Sequence, residues 1–227
     1  MKRVLILALL LPLLISVVSA AVIKVDAPDE TVVGRTFNVS IKADIGTATS
    51  DNDKLAGFEM YIQYDKLNIS VKDVHVGNDT KNWQVYYREL EDWELYEYEG
   101  LTGVGFVKVI GVYNGNETLI DGDNVELFKI EFNALSSGDT EIKVNETLSK
   151  LVEKDEDTKD FTTTSDNVKI WKYGDVNKDD TVDVRDLVRL EKIILGEETK
   201  TITADVDNDG EIDVADLITL INYLVGT

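Results

Sequence analysis

Two stretches near the C-terminus concentrate acidic side chains at a spacing that suits a bound cation. Each is twelve residues long, and oxygen-bearing side chains occupy positions 1, 3, 5, 9 and 12 of both. These residues are Asp175, Asn177, Asp179, Asp183 and Asp186 in the first loop, and Asp205, Asp207, Asp209, Asp213 and Asp216 in the second. Such closely spaced like charges repel one another unless a cation lies among them. Calcium takes about six to eight oxygen ligands, which a tight loop can supply.

The remaining positions of the loops refine this prediction. Position 7, which is Thr181 or Glu211, is expected to contribute its main-chain carbonyl. Position 6 requires a sharp turn and suits glycine, which the second loop has as Gly210 and the first loop replaces with Asp180. We therefore predict two calcium ions, with the first loop as the weaker site.

The two loops belong to an internal repeat. Residues 175–196 and 205–226 are offset by 30 and share nine identities in 22 aligned positions. After each acidic loop, apolar residues recur at helical spacing until a glycine, Gly196 or Gly226, which is typical of a short helix with a glycine cap. Because no helix precedes either loop, the units differ from ordinary EF-hands. They predict a small α-helical module with two EF-hand-like calcium loops.

The rest of the chain alternates apolar and polar residues with a period of two. Phe37, Val39 and Ile41 are one example, and residues 103–113 are apolar on both faces, which is typical of a central strand. The pattern predicts an all-β jelly-roll sandwich of about nine strands. We expect three parts: a signal peptide at 1–20, the sandwich at 21–171 and the helical module at 172–227.

The first twenty residues predict export. Lys2 and Arg3 precede an apolar run from Val4 to Val18, and small residues allow cleavage after Ala20. We expect a secreted or cell-surface protein without membrane insertion. Five glycosylation sequons, which begin at Asn38, Asn68, Asn78, Asn116 and Asn145, agree with export but do not establish glycosylation.

Composition excludes several classes of partner. Removing Lys2 and Arg3 leaves 21 basic residues against 44 acidic ones, a net charge of −23. This charge repels nucleic acid and anionic membranes and attracts divalent cations. With no cysteine in the chain, bound metal is the expected substitute for disulfides in a small module.

No catalytic set emerges from the sequence. His75 is the only histidine, and its strand-like surroundings indicate a structural residue rather than the base of a triad. Zinc ligands are lacking. The alternative is a secreted, calcium-stabilised carbohydrate-binding protein, because aromatic rings stack on polysaccharide sugars. Its candidate residues are Trp83, Tyr86, Tyr87, Trp93, Tyr96 and Tyr98.

The sequences GDVNKDDTVDVRDL and ADVDNDGEIDVADL, each followed by a short helical pattern, closely resemble a dockerin module over residues 172–227. The segments VGRTFNVSI, LAGFEMYIQYD and GVGFVKVIGVYNGNETLIDGDNVELFKIEFNAL are similar to the strands of a cohesin. Carbohydrate-binding modules share this jelly-roll architecture. The resemblance implies a non-catalytic adapter that binds a cohesin-bearing protein and a dockerin-bearing protein.

The resemblance also implies where the module contacts its partner. In dockerins, loop positions 10 and 11 and the following helix meet the cohesin. The corresponding residues are Val184, Arg185, Arg189 and Lys192 in the first unit, and Val214 and Ala215 in the second. The first face is basic and the second is not, so we expect the two units not to be interchangeable.

Charge and linker length predict the state of the unbound protein. Residues 172–227 carry 14 acidic and 6 basic residues, and residues 21–171 carry 30 and 15, so both parts are negative. The joint at residues 171–174 is too short for the module to fold back easily onto the sheet of its own sandwich. We therefore expect a monomer, whose partners the sequence does not identify.

Overall fold

The computed structural model describes residues 20–90, 103–115, 119–155 and 157–226. The predicted signal peptide lies outside the described residues except for Ala20, and so do Trp93, Tyr96, Tyr98 and the sequon residue Asn116. No helix within the described ranges is long and apolar enough to cross a membrane.

The described residues form thirteen strands followed by two helices. The strands are β1 (Ala21–Asp26), β2 (Glu30–Val32), β3 (Thr36–Asp44), β4 (Leu55–Asp65), β5 (Ile69–Val76), β6 (Gln84–Glu89), β7 (Val104–Val112), β8 (Val125–Ala134), β9 (Gly138–Val144), β10 (Lys150–Glu153), β11 (Thr158–Lys159), β12 (Phe161–Thr164) and β13 (Asp166–Trp171). The helices are α1 (Val184–Ile194) and α2 (Val214–Val225), and short 3₁₀ turns lie at Asp51–Asp53 and Ile202–Ala204. The predicted fold class, a β-sandwich followed by a small helical module, is confirmed.

The strands make two sheets. The first has the order β12-β1-β3-β8-β5. In the second, β4 pairs with β7 along one edge and with β9 and β10 along the other; β6 continues beyond β7, β11 beyond β10, and β13 and β2 beyond β9. Pairing is parallel between β1 and β12 and between β13 and β2, and antiparallel elsewhere. The predicted central strand, β7, has a neighbour on each side.

The period-two pattern has its physical basis in the space between the sheets. Along β3, Val39 and Ile41 are fully buried while the residues between them are not, because successive side chains in a strand point to opposite faces. At the centre, Phe58 of β4 stacks on Phe128 of β8 with ring centroids 5.4 Å apart, and on Trp83 at 6.0 Å. These aromatic contacts join the two sheets.

The predicted number of about nine strands is too low for the described residues. The strands that were missed include β2, β10, β11 and β12, which have only two to four residues, and a period of two cannot be recognised over so short a length. The prediction also missed β6, because its tyrosines were considered as a sugar-binding segment.

The sandwich and the helical module have separate hydrophobic cores. The core of the sandwich contains buried residues between Ala21 and Ile170, and β13 ends at Trp171. The fully or almost fully buried apolar residues of the module are Val176, Leu190, Ile193, Ala204, Val206 and Leu220. Six such residues are a small core, so apolar burial alone gives this module little stability.

Gly111 provides a test of the aromatic core. A Cβ atom at Gly111 would lie 2.2 Å from the Cζ atom of Phe58, whose ring is held between Trp83 and Phe128. We expect Gly111→Ala to lower the free energy of unfolding of the sandwich by about 2 kcal/mol or more through overpacking. Gly57→Ala is the matched control, because its Cβ would approach no atom closer than 3.4 Å. Urea unfolding followed by tryptophan fluorescence measures both, and equal midpoints would contradict the prediction.

Candidate functional site

The first acidic loop is closed by a buried carboxylate at its last position. Asp186 is fully buried; its Oδ1 accepts a hydrogen bond from the Asn177 amide at 2.9 Å, and its Oδ2 accepts one from the Asp183 amide at 2.8 Å. Asp175, at the first position, is also fully buried and accepts from the amides of Asp179 and Asp180 at 3.1 and 2.9 Å. The loop therefore winds around its own carboxylates.

The second loop repeats this arrangement. Asp216 is 1% exposed and accepts from the amides of Val206 at 2.6 Å, Asp207 at 3.2 Å and Asp213 at 2.8 Å. Asp216 thus has one more main-chain partner than Asp186 has in the first loop. The internal repeat seen in the sequence therefore extends to the hydrogen bonds that close the loops.

The predicted ligands at positions 9 and 12 also begin the helices. Asp183 and Asp213 are the N-caps of α1 and α2, and they accept from the amides of Arg185 at 2.8 Å and Ala215 at 2.6 Å. The N3 residues, Asp186 and Asp216, complete a capping box with the N-cap amides. Because capping satisfies main-chain donors that lack a partner inside the helix, loop closure and helix initiation share the same side chains.

Left-handed backbone recurs at two positions of each loop. At position 6, Asp180 has φ of 63° and Gly210 has φ of 90°, so the predicted sharp turn is present in both loops. Position 4 is left-handed as well, at Lys178 with φ of 61° and Asn208 with φ of 62°. Sequence reasoning did not foresee position 4. Asparagine tolerates this conformation better than lysine does, and glycine adopts it without steric cost. The backbone of the first loop, with Lys178 and Asp180 at these positions, is therefore more strained than that of the second, with Asn208 and Gly210.

The carboxylates of the second loop converge. Oxygen atoms of Asp205, Asp207 and Asp209 all lie within 4.8 Å of one another. Asp205 Oδ1 is buried and accepts no hydrogen bond from any described residue. Desolvation, with the nearby charge of Asp216, raises the pKa of Asp207, and desolvation likewise raises the pKa of Asp175 in the first loop. An all-oxygen donor set with an unsatisfied carboxylate oxygen fits a hard cation such as calcium.

Thr181 and Glu211 occupy position 7, where a main-chain ligand was predicted. Their side chains are exposed, and their amides donate to Asp179 Oδ1 at 2.9 Å and Asp209 Oδ1 at 2.8 Å. The role of their carbonyl oxygens stays a prediction.

The cations predicted to face a partner are paired within the module. Arg185 lies 2.8 Å from an oxygen of Asp183 and 3.0 Å from one of Asp179. Arg189 and Lys192 share Glu198, at 3.2 and 3.5 Å. These ion pairs reduce the positive charge that α1 presents to a partner, which sequence reasoning did not anticipate.

Both helices instead expose apolar side chains along one side. On α2, these are Val214, Ile218, Ile221 and Val225, with 58%, 54%, 40% and 66% of their surface exposed. On α1, Val184, Val188 and Leu195 correspond to three of them, while Glu191 replaces Ile221. We call the four residues on α2 the α2 stripe. Their spacing of four, three and four is itself a sequence signal of a second helical face, which the prediction did not use beyond Val184 and Val214.

The described aromatic residues of the sugar-binding alternative do not form a strip. Trp83 is buried in the core. Tyr86 and Tyr87 are exposed, but they are consecutive in β6 and so point to opposite faces. Tyr87 also donates a hydrogen bond to Asp73 at 3.0 Å. These residues therefore do not make the flat, coplanar platform expected for stacking on sugars.

Comparison with known proteins gives a family match for the helical module. Residues 173–225 match the model of the dockerin type I domain. No curated protein matches the chain in sequence.

Solved structures match the sandwich. A non-cellulosomal cohesin from the hyperthermophilic archaeon Archaeoglobus fulgidus has a TM-score of 0.50 and 18% identity, covering 67% of this chain and 91% of that one. The cohesin module of a family 33 glycoside hydrolase from Clostridium perfringens has a TM-score of 0.50 and 17% identity, covering 67% and 98%. A type I cohesin-dockerin complex from Clostridium thermocellum contains a chain with a TM-score of 0.50 and 16% identity, covering 67% and 94%. At these identities, the likeness establishes the cohesin fold of the sandwich.

The two different residues at position 6 allow a reciprocal test of loop strain. We expect Asp180→Gly to stabilise the module and Gly210→Asp to destabilise it, each by about 1 kcal/mol, since only glycine adopts left-handed backbone without steric cost. Asp180→Asn is the control, because it removes the same charge but keeps a side chain. Urea unfolding in excess calcium, followed by helical circular dichroism at 222 nm, measures these changes. If Asp180→Gly and Asp180→Asn gave equal stability, strain would not be the cause.

Proposed function

We propose that this chain, which joins a sandwich of the cohesin fold to a dockerin type I module, is an exported, non-catalytic adapter. Its helical module binds a cohesin on one protein, and its sandwich binds a dockerin on another. The observation that carries the proposal is the dockerin match over residues 173–225 on a chain whose other part has the cohesin fold. A chain with both kinds of module can join two proteins that do not otherwise meet.

Two calcium ions, one in each loop, complete the helical module in this proposal. The residues that would hold them are the acidic and amide side chains at positions 1, 3, 5, 9 and 12 of each loop. Support comes from the convergence of Asp205, Asp207 and Asp209 and from the buried carboxylates that close both loops. Bound calcium supplies positive charge that offsets carboxylate repulsion, so that a module with a small apolar core folds.

The α2 stripe is the proposed contact with a cohesin. Its four apolar residues lie on one side of the helix and stay exposed although the sandwich lies next to the module. Exposed apolar patches of this kind mark interaction surfaces. The corresponding side of α1 has Glu191 in the third position, and the cations of α1 are ion-paired within the module, so the two helices offer different surfaces.

The sandwich is the proposed receptor for a dockerin on another protein. The Clostridium thermocellum structure that resembles the sandwich is a type I cohesin-dockerin complex, which is the basis for this part of the proposal. Residues 21–171 and residues 172–227 carry net charges of −15 and −8, and like charges disfavour pairing between copies of the chain. We therefore propose a monomer that assembles with other proteins rather than with itself.

Chelation tests the proposed role of calcium. We expect excess EGTA to abolish the helical signal of the full chain at 222 nm while the sandwich stays folded, because each ion at a hundredfold excess over its dissociation constant contributes about 2.7 kcal/mol. In calcium, Asp216→Ala should destabilise the module more than Asp186→Ala. Removing the Asp216 carboxylate leaves three main-chain amides without their acceptor, and removing that of Asp186 leaves two. A helical signal unchanged by EGTA would refute the calcium role.

Partner capture tests the adapter role. We expect immobilised full-length protein to retain proteins that carry cohesin or dockerin modules from the native culture medium, in calcium and not in EGTA. Ile218→Asp should weaken binding to the recovered cohesin at least tenfold, which is about 1.4 kcal/mol, because it puts a charge in the centre of the α2 stripe. It should leave binding to the recovered dockerin unchanged.

Val188→Asp, at the equivalent position of α1, is the matched control and should have a smaller effect on cohesin binding. Equal losses from the two variants would mean that the helices are interchangeable, against the expected asymmetry. Loss of dockerin binding together with cohesin binding would show that Ile218→Asp damages the whole protein. Calorimetry with each purified partner distinguishes these outcomes.

A further inference from the structure

The turn between β2 and β3 brings a cation from the sandwich to the second acidic loop. Arg35 donates a hydrogen bond from its guanidinium to the main-chain oxygen of Asp205, and the same nitrogen lies 3.4 Å from Asp205 Oδ2. Both side chains are largely buried, with 15% and 14% of their surface exposed. Asp205 is position 1 of the second loop, so the contact reaches a predicted calcium ligand.

Arg35 is held rigidly by the sandwich. Its amide donates to Val32 at 3.1 Å, and its carbonyl accepts from the Ala134 amide at 2.9 Å. Gly34 precedes it with φ of 89°, and its amide donates to the carbonyl of Ala134 at 2.8 Å. The guanidinium therefore projects from a fixed point of the β2–β3 turn and not from a mobile loop.

A second contact between the two modules lies nearby. Glu30, at the start of β2, accepts from the Trp171 indole at 2.8 Å and from the Lys178 ammonium at 2.5 Å. Lys178 is position 4 of the first loop, one of the positions with left-handed backbone. The β2 region thus touches both acidic loops, each through one ion pair.

The two oxygens of the Asp205 carboxylate have different surroundings. Oδ2 faces the guanidinium of Arg35, while Oδ1 is buried and accepts no hydrogen bond from any described residue. The Asp205 carboxylate also belongs to the cluster with Asp207 and Asp209. A carboxylate that is held through one oxygen and the adjacent carbonyl keeps its other oxygen available as a ligand.

From these contacts we infer that Arg35 of the sandwich is a positioning residue for the calcium site of the second loop. It orients Asp205 as an outer-shell partner and ties the calcium-bound state of that loop to attachment of the module to the sandwich. The inference rests on the proposed calcium binding. Outer-shell partners that orient ligands typically change metal affinity by about 10-fold to 100-fold.

Repulsion between the guanidinium and calcium predicts the opposite change in calcium affinity when Arg35 is replaced. If Arg35 acted only through its positive charge, removing it would tighten calcium binding. The charge is already engaged by Asp205 Oδ2 and the main-chain oxygen of Asp205, so we expect the loss of orientation to exceed the relief of repulsion. The direction of the change therefore decides between the two effects.

The experiment is a calcium titration of the isotope-labelled full chain, followed by amide resonances in proton-nitrogen spectra. Gly210 reports on the second loop and Asp180 on the first. We expect Arg35→Gln to weaken the calcium response of Gly210 at least tenfold and that of Asp180 by a smaller factor, because the two loops share one hydrophobic core. Lys72→Gln is the matched control, because it removes one positive charge from a surface pair with Glu131 elsewhere on the sandwich; it should change neither response.

A Gly210 response in Arg35→Gln that equals the wild-type response, or is tighter, overturns the inference. If Arg35→Gln does not fold, as judged by the sandwich resonances, Arg35→Lys decides in its place: it keeps the charge, but its ammonium ends one bond short of the Nη2 atom that makes both contacts with Asp205. A weaker Gly210 response with lysine supports positioning, and a response equal to or tighter than wild type overturns it. If the wild-type loops do not respond to calcium at all, the proposed calcium role fails and the inference fails with it.

Discussion

One buried carboxylate at the end of each acidic loop governs the structure of the helical module. Asp186 and Asp216 accept hydrogen bonds from amides at the beginning of the loop and from the N-cap amide of the following helix. The same side chain therefore closes the loop and completes the capping box that begins the helix carrying Leu190 or Leu220 of the core. Because these carboxylates lie close to other acids, the geometry that builds the module also concentrates negative charge in a small volume.

The sandwich is stabilised in a different way. Its two sheets are joined by a core that includes the stacked rings of Phe58, Trp83 and Phe128, and a domain of about 150 residues is large enough to bury a substantial apolar core. One chain thus combines a part with a large apolar core and a part in which several carboxylates are buried close together. The two parts are in contact at strand β2, where Glu30 pairs with Lys178, and at the β2–β3 turn, where Arg35 contacts Asp205.

Features that depend on residues close together in the chain could be predicted from the sequence. Side chains at alternate loop positions, the turn at Gly210 and the alternation along β3 all follow from local geometry, so the loops, the helices and the longer strands could be predicted. Left-handed backbone at Lys178 could not, because lysine does not signal that conformation.

Contacts between distant residues left no local pattern. Arg35 and Asp205 are 170 residues apart. Even at short separation, the pairing of Arg189 and Lys192 with Glu198 depends on how the chain turns back after α1. The α2 stripe could be predicted only in part, since the helical spacing of its residues is present in the sequence. Nothing in the sequence, however, separates the side of α2 that packs on α1 from the side that remains exposed.

The position of β13 has a mechanical consequence. This strand leads directly into the helical module and lies between β9, with five paired residues, and β2, with three. A pull on the module along the direction of β13 would load these hydrogen bonds in shear, so that many must break together and not one after another. In the proposed adapter role, tension would therefore enter the sandwich through a strand that is paired along both edges, which is the geometry that resists being drawn out of a sheet.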